Sequence, residues 1–191
     1  MNVTFIVVPG FTNSGPQHWQ TCIENKYVNT RRVQQDDWQK PDRERWSRRV
    51  GETVAATPGD VVLVAHSCGA VATAQWLAVN AHERVKAAVL VAPADVDAPC
   101  ALDAIQPQRP LPGTRLPLPT LLICSDNDEH LTLPRAQQLA AWWGSELKVI
   151  AGGGHLHSAA GFGDWPAGEQ LIAAFSGARF IPRAVSTTLY S

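Results

Sequence analysis

A hydroxyl, a carboxylate and an imidazole delivered by three separate loops make an activated nucleophile, and the sequence offers such a set at Ser67, Asp126 or Asp128, and His155. A serine hydroxyl attacks poorly near neutral pH. It needs an imidazole to take its proton and a carboxylate to fix the imidazole tautomer and stabilise its cation. Ser67 stands in Val61-Val62-Leu63-Val64-Ala65-His66-Ser67-Cys68-Gly69-Ala70, where an apolar run enters a tight turn and a helical pattern follows. A strand–turn–helix corner of the G-x-S-x-G type exposes the serine oxygen and tolerates only small neighbours; here Ala65 and Gly69 hold the two glycine positions. Asp126 and Asp128 follow an apolar segment ending at Cys124, and His155 follows Gly152-Gly153-Gly154. Each residue also has a plainer use: Ser67 as a helix cap, and either aspartate as a solvated turn residue. The residues alone do not separate Asp126 from Asp128. Of the six histidines, His155 stands out because a glycine run can carry its ring over a sheet edge. His157 competes with it, and His18, His66, His82 and His130 read as structural or surface residues. Cys68 is a poor rival nucleophile, since His66 and Ser67 would then occupy positions that need small side chains.

The segments that must position these groups alternate. Residues 3–8, 61–65, 85–91 and 120–124 are apolar runs without clean alternation, the signature of strands buried on both faces. Shorter strands are predicted over 31–35 and 147–150. Helices are predicted over 16–27, 42–56, 133–143 and 166–175, and one follows Ser67 with Val71, Ala74 and Leu77 as its apolar stripe. Residues 93–119 carry many prolines and read as a long loop with little regular structure, a feature more often functional or mobile than neutral. The alternation predicts an α/β fold: a doubly wound, mostly parallel sheet of about six strands with helices on both faces. Ligands collect at the carboxyl ends of such strands, where Ser67, both aspartates and His155 fall. One domain over 1–180 and an irregular tail over 181–191 are expected.

Composition narrows the function classes. The 191 residues suffice for one domain with a sizeable core, and 45% hydrophobic against 17% charged residues indicates a globular chain. The formal net charge of -1, without a basic run longer than two arginines, gives no reason to expect a nucleic-acid or anionic membrane partner. No apolar run approaches the ~20 residues of a bilayer span. A strand-like segment begins within three residues of Met1, so no signal peptide is expected. The cysteines, Cys22, Cys68, Cys100 and Cys124, lack paired spacing, which suits reduced thiols in a cytoplasmic protein. Nothing in the spacing of His, Cys and carboxylates suggests a metal site, and no cofactor is expected.

The order Ser…Asp…His is the chain order of α/β-hydrolase triads. Val8-Pro9-Gly10 with Asn13-Ser14-Gly15-Pro16-Gln17-His18-Trp19-Gln20 makes the resemblance specific. So do Gln35-Asp36-Asp37-Trp38, Ala65-His66-Ser67, Leu90-Val91-Ala92-Pro93-Ala94-Asp95-Val96, Ser125-x-Asn127-Asp128, and Gly154-His155 with Gly161-Phe162-Gly163-x-Trp165-Pro166. From about residue 3 to 175 the chain resembles small serine hydrolases of the α/β-hydrolase superfamily, in the family of retinoblastoma-binding protein 9 and its bacterial relatives. The resemblance implies a compact fold with a minimal cap, Ser67 as nucleophile, Asp128 as the acid and His155 as the base. It implies an oxyanion hole from the backbone N–H groups of Cys68 and Phe11. Asn13, His18, Trp38 and His157 are candidates for the substrate pocket, and Trp19 reads as core in preference to substrate wall. The sequence departs from the family at Glu129-His130, where relatives often carry a proline and an aromatic residue, and at His157, where asparagine is expected. The implied activity is hydrolysis of a small ester, thioester or amide through an acyl-enzyme on Ser67, with an acyltransferase sharing the same residues. The alternative is a protein-interaction module on a hydrolase fold, since the family's namesake was named for binding a protein partner.

Overall fold

Residues of the four central strands alternate between two apolar cores, which is why their sequences show no polar face. In the computed structural model, which describes residues 3–184, six strands form one fully parallel sheet: β1 (Thr4–Val8), β2 (Thr30–Arg32), β3 (Val61–His66), β4 (Val85–Val91), β5 (Thr120–Ser125) and β6 (Glu146–Ile150). Their spatial order is β2-β1-β3-β4-β5-β6. Ile6, Leu63, Leu90 and Leu122 point to one face and pack with α2 (Arg43–Ala55), α3 (Cys68–Val79) and α4 (Leu133–Trp143). Phe5, Val64, Val89 and Ile123 point to the other, against α1 (Trp19–Lys26) and α5 (Pro166–Ser176). The sheet is thus doubly wound, as the alternation predicts.

Register brings the site together. Val8 pairs with Ala65 and Ala65 with Leu90, so β1, β3 and β4 end level. Ser125 pairs with Ile150, so the loops after β5 and β6 leave the sheet side by side.

Several boundaries shift for local reasons. The first helix begins at Trp19, not residue 16, because His18 is its N-cap. The strand predicted over 31–35 spans Thr30–Arg32. Residues 93–119 hold a short 3-10 helix, Asp103–Gln108. They are also anchored: Arg109 Nη2 donates to Ala98 O (3.0 Å), Leu111 N–H to Asp97 Oδ2 (3.0 Å), and Trp143 Nε1 to Pro112 O (2.8 Å). Ile105, Leu111 and Leu116 are buried beneath them. Helix α3 has no stripe; every residue from Cys68 to Leu77 is buried, because α2 and residues 103–108 cover what β3 does not. The expected tail begins as a pinned segment, since Val28 N–H donates to Ile181 O and Arg183 N–H to Lys26 O (both 2.8 Å). Residues 185–191 lie outside the described residues.

Candidate active site

Ser67 joins β3 to α3 with φ 54° and ψ -126°, a backbone conformation that L-residues adopt at a cost of about 1–3 kcal/mol. Its surroundings impose it. Ser67 N–H donates to Val91 O (3.0 Å), and Ser67 O accepts the N–H groups of Ala70 (2.9 Å) and Val71 (3.1 Å), starting the helix. Gly69 is required by close approach: a Cβ there would lie 2.3 Å from both Val8 O and Pro9 O. A Cβ on Gly10 would lie 2.9 Å from Ser67 Cβ and 3.4 Å from Cys68 N, so the chain leaving β1 rests directly on the corner. Ala65 meets no such constraint; it is fully buried in the core, so a methyl group there is tolerated.

The imidazole and carboxylate arrive from the two neighbouring loops. His155 Nε2 lies 2.8 Å from Ser67 Oγ, and His155 Nδ1 lies 2.9 and 3.0 Å from the oxygens of Asp128. Asp128 Oδ1 also accepts His130 N–H (2.8 Å). The Asp128 side chain is fully buried and His155 nearly so. In this arrangement Nδ1–H donates to Asp128, which leaves the Nε2 lone pair to accept the Ser67 proton. Asp126 faces elsewhere: its Oδ1 accepts Gly152 N–H (2.7 Å), while Asn127 Oδ1 accepts Gly154 N–H (2.7 Å) and the Ser125 hydroxyl (2.8 Å). These two side chains tie the glycine run to β5 and so fix the approach of His155.

A family model described as serine hydrolase matches residues 5–174. The chain belongs to this family. It is similar to a YdeN-like hydrolase of Pectobacterium atrosepticum, with 31% identity over 92% of this chain and 91% of that one, and a TM-score of 0.82. The ydeN gene product of Bacillus subtilis shares 18% identity over 92% of this chain and 98% of that one (TM-score 0.72). Carboxylesterase CesB of Bacillus subtilis shares 14% over 91% and 83% (TM-score 0.63). These two likenesses are of fold. No curated protein matches the chain. A small serine hydrolase with an α/β-hydrolase fold is therefore the established frame, and its chemistry is hydrolytic.

Ser67 of this hydrolase opens into a cavity of about 440 Å³. Its lining includes apolar Phe11, Ala94, Leu102 and Ile105 and polar His18, His157 and Asn13. His66, His130 and His155 complete a lining rich in imidazoles. Burial, reinforced by neighbouring histidines, lowers the pKa values of His18 (to about 3), His66 and His130. Burial likewise pushes the Cys68 thiol up to about 12, which disarms it as a nucleophile.

Asn13, His18 and His157 thus line the cavity. Trp38 does not: its ring packs edge-on against Trp46 (centroids 5.8 Å apart), and its carbonyl accepts Thr12 N–H (2.9 Å). It supports the loop after β1 from behind. Trp19 is a buried core residue whose Nε1–H donates to Leu156 O (2.9 Å), beside His155. His66, read from sequence as structural or surface, donates from Nε2 to His155 O (2.9 Å) and so clamps the backbone of that residue. Its position directly before the serine, on a buried strand end, is the signal that could have marked it.

Proposed function

We propose that Ser67 is the nucleophile, His155 the general base and Asp128 the carboxylate that holds its tautomer. The observation that carries this reading is the unbroken relay from Asp128 through His155 to Ser67 Oγ. Ser67 Oγ attacks an ester, thioester or amide carbonyl while its proton passes to His155 Nε2. The tetrahedral oxyanion rests on the backbone N–H groups of Cys68 and Phe11, a pairing supported by the close packing of Gly10, the residue before Phe11, on the Ser67 corner. Each such donor typically contributes ~10²–10³ in turnover. The imidazolium then protonates the leaving group. Water, deprotonated by the same imidazole, releases the acyl group from Ser67. The modest apolar part of the lining supports small or accessible acyl groups. The Cys22, Cys68, Cys100 and Cys124 thiols are free, which supports a reducing, cytoplasmic setting, and among the described residues no helix is long and apolar enough to cross a membrane.

An active-site fluorophosphonate tests this directly. The wild type should label in its native state and Ser67→Ala should not; an unlabelled native wild type overturns the reading.

A further inference from the structure

We infer that His18 and His157 form a donor subsite that recognises a neutral carbonyl oxygen carried by the substrate in addition to the scissile one. This rests on the reading of Ser67 as the nucleophile and names what the same cavity selects.

His18 Nδ1 accepts Gln20 N–H at 3.2 Å, capping α1. A ring nitrogen that accepts is unprotonated, so the neutral imidazole carries its hydrogen on Nε2. Nε2 is buried and has no partner among the described residues, although His18 lines the cavity. An unmade hydrogen bond on a buried donor is unfavourable, and capping does not require one: Ser, Asp or Asn would cap α1 without leaving it. The ring is held in place by His66 (centroids 4.8 Å) and Trp19 (5.4 Å). His157 repeats the arrangement. Its Nδ1 accepts Ala160 N–H at 3.2 Å, which also places its hydrogen on Nε2, and the residue lines the same cavity.

Two rings therefore offer N–H groups whose tautomers the backbone has already chosen. Burial keeps His18 uncharged, so it presents a dipole and not a cation. Arg32, whose guanidinium acts on His18, is already committed to Asn13 Oδ1 (2.9 Å), Thr21 Oγ1 (2.7 Å) and Glu24. Among the described residues no carboxylate lines the cavity. The site thus lacks a counter-ion for an ammonium group and a free cation for a carboxylate. A ketone, ester or amide oxygen is the group that neutral donors satisfy.

The test compares matched substrates that differ only in that oxygen: p-nitrophenyl 4-oxopentanoate against 4-methylpentanoate for the acyl side, and acetonyl butanoate against isobutyl butanoate for the alcohol side. His18→Asn keeps a capping oxygen but is too short to bring a donor to the Nε2 position; His157→Asn does the same at the second ring. In at least one pair, the ratio of kcat/KM for the keto member over its hydrocarbon partner should fall about five- to tenfold in His18→Asn, the worth of one hydrogen bond, with a further fall in the double variant. Circular dichroism melts confirm that the variants are folded. Ratios unchanged in both pairs, or both members falling in parallel, overturn the subsite. If the wild type labels with fluorophosphonate while the ratios stay flat, the subsite alone is wrong; if it does not label, the nucleophile assignment fails and the subsite with it.

Discussion

Asp126 and Asp128 sit two positions apart on one loop and hold different partners. Asp128 meets the imidazole of His155, whereas Asp126 meets the backbone of Gly152. Asp128→Asn should therefore lower kcat about 10,000-fold, by analogy with tautomer loss in serine proteases, with the fold intact by circular dichroism. Asp126→Ala should instead lower the melting temperature and leave kcat within about tenfold, since it removes one hydrogen bond from the loop. Steady-state kinetics on the two variants decide between them. Residue types alone could not make this distinction, because both aspartates follow the same strand; the resemblance picked Asp128. The histidines show the limit more sharply. Chain order and the glycine run made His155 legible, but the bond from His66 to the His155 carbonyl spans 89 residues, and no local pattern records it. Trp38 failed in the opposite sense, since an aromatic near a sheet edge looks the same in sequence whether it faces a cavity or Trp46.

The corner at Ser67 depends on β1 as much as on its own strand and helix. Gly69→Ala drives a methyl group into the carbonyls of Val8 and Pro9, and neither atom belongs to a side chain that could swing away. Overpacking of this kind costs about 1–3 kcal/mol, so the variant should melt several degrees lower. It should also label more slowly with fluorophosphonate, because the loop bearing Phe11 must retreat from Cys68; the labelling rate of the folded fraction checks this. Elements with continuous apolar runs were read from sequence to within a residue or so: β4 and α4 coincide with the predicted ranges. Weakly patterned pieces were not. β2 has three residues, none of them buried, too few to show a period. The ordering of 93–119 comes from distant groups such as Trp143 Nε1 and the Cys68 carbonyl, which accepts Gln108 Nε2–H at 3.0 Å.

The whole chain folds around imidazoles that it keeps uncharged, and stability must follow. In the unfolded chain His18 and His66 titrate near the ordinary 6.5; in the native state His18 does so at about 3 and His66 well below its usual value. Between these limits the unfolded state binds protons that the native state refuses, so stability is full above about pH 6.5 and falls as pH drops toward 3. Each such histidine contributes a slope of about 1.4 kcal/mol per pH unit within the window. Urea midpoints should fall from pH 7 to pH 5, less steeply in His18→Asn by one proton's share. The four central strands were legible because burial on both faces forces apolar composition along them, while the sheet's order was not, since crossovers leave no mark in any one segment. That order gives the six strands unequal standing. Ser67 issues from β3, flanked on both sides, but His155 hangs from β6, which pairs with β5 alone and leaves all five of its residues partly or fully exposed. Fraying begins at such edges. If His155 is the base proposed above, a molecule that loosens there loses its proton acceptor while the serine corner is still folded, so the enzyme falls silent before it denatures, and its turnover reports the integrity of its weakest margin.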